Sequence, residues 1–361
     1  MAATPPEIIP VTLAELDAHP DEPANDDPHA YRLAGAARDM FRTNPAARPE
    51  DTVQLLARVE GTIVGRMNLL PGEALTPDGT ARVAWGSGYA VHPDTRGRGV
   101  GGALMRAMHG RYPLLGALGA SAMSEPIFRK LGWTLARAPR LVFVRRCKPV
   151  LRARISNAPI AAAAATFVDA GLRVRHAFTM RRGNAPGDVT IRETTSVPPS
   201  HLPTSLRGTL CFPRTTAWLD WMRRVVPQTD RRRWTVYLAD RAGEPLGYFI
   251  VSDRFHETAS RWGYRDLRLA TVKDWQAADA TPESNRVLAE VAARTAMTHD
   301  ADAVELCTND PELAHRLRTL GGFVRGSSPL FLHADDSAIV PALADPASWD
   351  FRSADGDYFV F

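Results

Sequence analysis

The feature that most constrains this chain is one order of elements that its sequence writes twice. Residues 8–13 read as a strand, and 14–43 as polar, helical sequence interrupted by Pro and Asp. The apolar runs 52–59 (TVQLLARV) and 62–70 (TIVGRMNLL) flank Glu60-Gly61, a hairpin signal, and a Pro/Gly turn region follows. Residues 81–91 (ARVAWGSGYAV) make another strand. Val100, Leu104 and Met108 mark an amphipathic helix over 100–109. A short buried strand at 114–118, a helix at 124–131 ended by Gly132, and a strand at 140–144 close the block. The second block repeats the order: a strand at 189–193, helical sequence to about 224, a hairpin of 234–239 with 246–252, and a strand at 267–272. A helix at 283–298, a strand at 304–307, a helix at 311–320 ended by Gly321-Gly322, and a strand at 330–333 complete it. Between the blocks, an alanine-rich stretch and Arg181-Arg182-Gly183-Asn184-Ala185-Pro186 carry a linker signature. Low identity between the copies does not disturb the order, so the chain reads as a duplication. The division predicted is 1–150, a linker or helix at 151–186, a second domain at 187–340, and a tail at 341–361. The fold class is α/β (α+β), each domain a mixed, mostly antiparallel sheet flanked by helices.

Composition removes several classes of function. Ordinary globular usage, 45% hydrophobic and 23% charged over 361 residues, excludes a disordered or fibrous chain. Cys147, Cys211 and Cys307 are far apart and form no CxxC pair, which argues against a zinc site and for buried thiols in a reducing compartment. All the basic residues but Lys130, Lys148 and Lys273 are arginine, as coding bias produces, and a net charge of +4 adds little to the case for nucleic acid. MAATPPEIIP lacks the basic and apolar regions of a signal peptide, and the apolar run 158–172 is too short to span a bilayer. The expected location is cytoplasmic.

The chemistry concentrates in Val91-His92-Pro93-Asp94-Thr95-Arg96-Gly97-Arg98-Gly99-Val100-Gly101-Gly102. A strand ends, a glycine-rich turn follows, and a helix begins near Val100. Helix-start N–H groups and the helix dipole favour an anion there, the glycines let it approach the backbone, and Arg96 and Arg98 add charge. The bare pattern R-x-x-G-x-G/A arises by chance in a chain of this composition, so its strand-to-helix context supplies the specificity. A dinucleotide loop is disfavoured, because GxGxxG is missing and a hairpin precedes the turn.

YAVHPDTRGRGVGGAL, together with PIFRKLGWT at 126–134, resembles motifs A and B of the GNAT (N-acetyltransferase) superfamily, over roughly residues 8–147. The second block resembles a second, degenerate GNAT domain, so the whole chain is similar to tandem-GNAT proteins. The resemblance implies acetyl-CoA as co-substrate. The backbone of Ala90, Val91 and His92 would hold the pantetheine arm. Arg96 takes the signature Gln/Arg position, and the turn Gly97, Arg98, Gly99, Val100, Gly101, Gly102 and Ala103 would cradle the pyrophosphate.

In this family an amine attacks the thioester directly in a ternary complex, a base removes the ammonium proton, and an acid protonates the leaving thiolate. The motif-B acid is often Tyr, where this chain has Phe128. Ser121 replaces a common Asn, and the Glu frequent on the motif strand is replaced near Ser87. Tyr89 is the candidate catalytic substitute, with Ser87, Ser124 and Glu125 nearby. No metal is expected. The partners implied are acyl-CoA and a small-molecule or peptide amine, with neither membrane nor nucleic acid. The residues also fit a non-enzymatic acyl-CoA sensor, and a tandem-GNAT-like aminoacyl transferase using charged tRNA. The second block lacks glycines at 273–283, so it is expected not to bind CoA and to wall the acceptor site.

Overall fold

The computed structural model describes residues 5–18, 33, 35–120, 123–182, 188–203, 210–226, 228–257, 264–346 and 349–355. In the first half, β1 (Glu7–Thr12), α1 (Leu13–Ala18) and α2 (Gly35–Arg42) precede β2 (Thr52–Val59), β3 (Thr62–Thr76) and β4 (Gly79–Val91). Then come α3 (Val100–Met108), β5 (Leu114–Leu118), α4 (Glu125–Lys130) and β6 (Thr134–Val144). Two helices, α5 (Lys148–Arg154) and α6 (Ala158–Arg182), lead to the second half. That half comprises β7 (Val189–Thr194), β8 (Leu210–Cys211), α7 (Thr216–Val225), β9 (Arg232–Arg241), β10 (Glu244–His256) and β11 (Leu267–Ala277). It continues with α8 (Pro282–Ala296), β12 (Ala303–Cys307), α9 (Pro311–Thr319) and β13 (Phe323–Ala334), and the tail adds β14 (Trp349–Asp350). No helix among the described residues is long and apolar enough to cross a membrane. Within 14–43, the stretch 19–32 lies outside the described residues, as does 356–361 at the end of the tail.

One mixed sheet runs through both halves in the order β1-β2-β3-β4-β5-β13-β6-β12-β11-β10-β9-β7. The halves trade their last strands. β13 of the second half pairs antiparallel with β5 of the first (Leu330↔Leu118), and β6 of the first pairs with β12 of the second (Ala303↔Val144). β6 and β13 also pair with each other, at the centre of the seam. Each helix-side core therefore needs a residue from the other half. Phe331 of β13 is buried among Val100, Leu104 and Met108 of α3, while Leu141 and Phe143 of β6 are buried against α8 and α9. A third core, including Trp85, Trp221, Trp234 and Trp349, is shared on the opposite face of the sheet.

The Pro/Gly region after residue 70 is not a turn: β3 continues through Pro71-Gly72 to Thr76. β2 leaves β3 at Gln54↔Asn68, so that edge of β3 is open at Pro71 and its missing N–H costs no ladder bond. The Asn44 side-chain amide donates to the Pro71 carbonyl instead, at 2.8 Å.

Candidate active site

β4 and β5 run parallel only from Val83↔Leu114 to Gly86↔Ala117. Beyond that pair, β4 stays bonded to β3 alone, with Arg66↔Ala90 and Gly65↔Val91. The two strands thus splay, leaving the β5-side backbone of Ser87–Val91 open. A bulge opposite Met67 coincides with the splay, where Gly88 takes φ +55° and its carbonyl accepts from Arg66 Nε at 3.2 Å.

Past Val91 the chain makes a short 3-10 turn at Pro93–Thr95, entered by His92, whose Nδ1 accepts the Asp94 N–H at 3.3 Å. Gly97 and Gly99 then adopt φ of +80° and +81°, which only glycine takes without strain. Gly99 is the N-cap of α3 and has no side chain to satisfy the helix head. Arg98 N–H donates to Thr95 O and Ala103 N–H to Gly99 O, so those two are already engaged. Among the described residues, the N–H groups of Gly99, Val100, Gly101 and Gly102 find no backbone acceptor. Four donors at one exposed helix head, with the exposed Arg96 and Arg98 beside them, make an anion cradle.

The structure brings Tyr89 to this cradle and not through the sheet. A Cβ built on Gly101 would lie 1.9 Å from Tyr89 Oη, so the phenol rests on the glycine at the helix head. Burial raises its pKa, which keeps it a neutral hydrogen-bond donor. Phe128 is buried, stacked on Phe331 at 4.9 Å and edge-on to Trp133 at 4.8 Å, so an inter-half aromatic cluster fills the position of the missing acid. Glu125 is committed to Arg129 and Arg137, Ser124 is buried at the head of α4, and Ser121 lies outside the described residues.

Ser87 ends a buried polar row across three strands that sequence reading missed. Gln54, Asn68 and Ser87 are register partners on β2, β3 and β4, and Gln54 Nε2 donates to Asn68 Oδ1 at 3.0 Å. Two residues away and on the same face, Trp85 lies over Gly116, whose added Cβ would meet its ring at 2.5 Å. Trp85 also lines a cavity of about 220 Å³ on the shared face, with Leu70 and Glu73 of the first half and Phe212, Trp218 and Trp221 of the second. Arg214 and Asp355 of its wall belong to a buried ionic cluster. Arg214 donates to Asp274 (3.0 Å) and to Asp355, Tyr248 also donates to Asp274 (2.9 Å), and Arg214 lies over the Trp218 ring at 4.1 Å. Burial pushes the Asp355 carboxyl up to about 6, against the pull of Arg214.

The second half repeats the splay and fills it. β11 pairs with β12 only as far as Val272↔Leu306, with a bulge at Lys273. Across the opening, Asn309 donates to Trp349 O and Arg352 Nε to Trp275 O, so the tail bridges the parted strands. At the head of α8 the anion position is occupied from within. Asp279 accepts from Thr281 N–H (2.9 Å) and Ser284 hydroxyl (2.7 Å), and Thr281 caps Ser284 N–H. Burial opposes ionisation of Asp279, but these hydrogen bonds prevail and lower its pKa. Thr281 before Pro282 is a helix-start signal that the sequence reading of 283–298 did not use.

His109, His333 and Asp335 come close enough to suggest a metal site. Trp133 Nε1–H, which can only donate, bonds His109 Nε2 at 3.1 Å and so leaves the proton on Nδ1, the nitrogen facing Asp335. The cluster instead ties β13 to α3.

Parallel strands splayed at a bulge and followed by a glycine-headed helix are the arrangement that the resemblance to GNAT motifs A and B implies. Residues 24–136 match the family described as Acetyltransferase (GNAT) domain. That match lies within the first half, and the second half repeats the same order of elements. In structure it is similar to Saccharomyces cerevisiae N-myristoyltransferase with bound myristoyl-CoA (TM-score 0.52, 11% identity, 91% of this chain and 84% of that one). A conserved protein of unknown function from Enterococcus faecalis is also similar (TM-score 0.52, 13% identity, 92% and 72%). A GCN5-related N-acetyltransferase from Anabaena variabilis gives a TM-score of 0.49 at 13% identity, over 78% of this chain and 63% of that chain's length. No curated protein matches the chain in sequence.

Proposed function

We propose that this protein moves an acyl group, acetyl in the first instance, from acyl-CoA to an amine by direct attack in a ternary complex. The observation that carries the reading is the set of four N–H groups at Gly99–Gly102 that find no backbone acceptor among the described residues, immediately beyond the strand that parts from β5. The pyrophosphate would accept from those groups, with Arg96 and Arg98 neutralising charge, and the pantetheine arm would pair with the open backbone of Ala90, Val91 and His92. Tyr89, resting on Gly101, is then a donor to the phosphate end of the cofactor more naturally than an acid for the thiolate. The acyl carbon would face the shared side of the sheet near Ser87, and the acceptor would enter from the cavity under Trp85, walled by the second half. The amine lone pair attacks the carbonyl carbon, the C–S bond breaks, CoA leaves as thiolate, and the ammonium proton is lost to solvent or base. With Phe128 buried at the acid position, turnover rests on positioning. The second half, its splay bridged by the tail and its helix head capped by Asp279, would take no cofactor.

Release of free CoA on mixing the protein with acetyl-CoA and a panel of amines tests the reading. Amine-dependent release supports it. Saturable acetyl-CoA binding with no release for any amine would favour the sensor.

A further inference from the structure

Helix α6 carries apolar side chains on two opposite faces, one turned inward and one largely open to solvent. The inner face repeats at helical spacing through Ala161, Ala165, Asp169, Leu172 and His176. It is fixed in place: Ala161 and Ala165 are buried, Asp169 accepts the Cys147 N–H at 2.7 Å, and the His176 ring bonds the Val144 carbonyl at 2.7 Å. The outer face carries Ile160, Phe167 and Val174 in one row of seven-residue intervals, with Ala164, Gly171 and Phe178 in a second row beside it. No charged residue interrupts either row. Phe167 is 82% exposed, Val174 72%, Ile160 58%, Phe178 53% and the flanking Val168 46%. These five side chains present roughly 500 Å² of apolar surface, toward the upper end of what a monomer leaves contiguous.

We infer that the outer face of α6 is the contact between two copies of this chain, packed antiparallel about a two-fold axis. Area favours a second copy: the five side chains from each of two copies remove about 1,000 Å² from water, which reaches the lower limit of a specific interface before the alanines are counted. The order of sizes favours the antiparallel arrangement. With the axis beside residue 169, Phe167 of one copy meets Gly171 of the other, Val174 meets Ala164, and Ile160 meets Phe178 at both ends. A parallel pair would instead set Phe167 on Phe167. It would also bring together the four arginines of the helix, Arg173, Arg175, Arg181 and Arg182, which all lie in its C-terminal half. Antiparallel packing moves them apart and opposes the two helix dipoles. Such a contact uses the same patch on both copies and closes as a dimer. None of its residues belongs to the 89–103 segment, so the inference does not rest on the acyl-transfer reading.

Sedimentation equilibrium of the full chain is the test, and the parent should show twice its mass of 39.5 kDa. Phe167→Glu acts on both sides of the contact, so a tenfold loss on each side raises the dissociation constant at least about a hundredfold. Val174→Glu is the second variant and should act in the same direction. Both side chains are exposed in the single chain, so both variants should fold, which circular dichroism and thermal unfolding of the dilute chains check. Cysteine cross-linking reads the direction of packing, since the three native cysteines are buried. Ile160→Cys combined with Phe178→Cys should give a disulfide-linked dimer on mild oxidation. Ile160→Cys alone should not, because its two copies would lie about 27 Å apart. A parent that stays monomeric at about 100 μM, above the dissociation constant of a weak specific interface, overturns the proposal, as does a dimer that both glutamate substitutions leave intact. A cross-link through Ile160→Cys alone overturns the antiparallel arrangement. A monomer that floats with vesicles of phosphatidylserine and phosphatidylcholine, and loses this with Phe167→Glu, would also overturn the proposal and assign the face to a lipid surface.

Discussion

Gly101→Ala is the most informative single change at the glycine turn before α3, because the structure fixes both its cost and its remedy. The added methyl carbon would sit 1.9 Å from Tyr89 Oη, where ordinary contact begins at 3.4 Å. The phenol must therefore retreat by about 1.5 Å. It cannot do so freely, since Tyr89 packs against the core formed by Val100, Leu104 and Met105. Overpacking of this kind costs about 1–3 kcal/mol. Removing the hydroxyl removes the clash, because the next ring atom, Cζ, lies at 3.2 Å and needs to yield only a few tenths of an ångström. Tyr89→Phe should thus be close to neutral alone and should recover most of the lost stability when combined with Gly101→Ala. Urea denaturation of the four chains measures the coupling directly. If Gly101→Ala is as stable as the parent, or if the double variant is no better than Gly101→Ala, the placement of Tyr89 on the helix head is wrong.

The remaining predictions concern the seam and the tail. Asp355 titrates at about 6 when folded and near 3.9 when unfolded, so the folded state holds the proton more tightly. The stability this contributes is present below about pH 4 and is lost as pH rises through 6; the advantage of the parent over Asp355→Asn in urea midpoint should shrink over that interval, and a growing advantage would contradict the assignment. His109 has the opposite sign. Burial and His333 lower its pKa, so its contribution is present above the ordinary imidazole range and lost as pH falls below it, and His109→Asn should flatten the acid limb of a stability–pH profile. Residues 1–150 expressed alone should show no cooperative unfolding transition, because both partners of β6 lie in the other half, whereas co-expression with 151–361 should yield a complex. A cooperative melt of 1–150 alone would refute the exchange of strands.

Much of the element order was legible because it rests on local signals. The Glu60-Gly61 hairpin, the helix stripe Val100-Leu104-Met108 and the stops at Gly132 and Gly321-Gly322 all act within a few residues. The glycine turn before α3 was legible for the same reason, since positive φ at Gly97 and Gly99 is a backbone requirement that glycine alone meets cheaply. Strand exchange was not, because an apolar run such as 140–144 satisfies β5 or β12 equally; only the packing of Phe331 under α3 and Phe143 under α9 decides between them. The same limit hid the row Gln54-Asn68-Ser87, whose members become neighbours only when three strands take register. The tail carries no periodicity, and its role follows from Arg352 and Asn309 meeting partners far away in sequence. Pro71 misled for a physical reason: proline reads as a break unless its edge of the strand is known to be open.

The central claim is that acyl-CoA binds this chain once, at the turn of Gly99–Gly102. Calorimetric titration of acetyl-CoA into the full chain and into its Gly99→Glu variant tests it most directly. Gly99 has nothing within 4 Å of an added Cβ, so the variant carries only the strain of its positive φ, about 1–2 kcal/mol, and should stay folded while its carboxylate takes the place proposed for phosphate. The account predicts one site in the parent chain and no saturable heat in the variant. Two sites in the parent, none at all, or equal binding by the variant would contradict it.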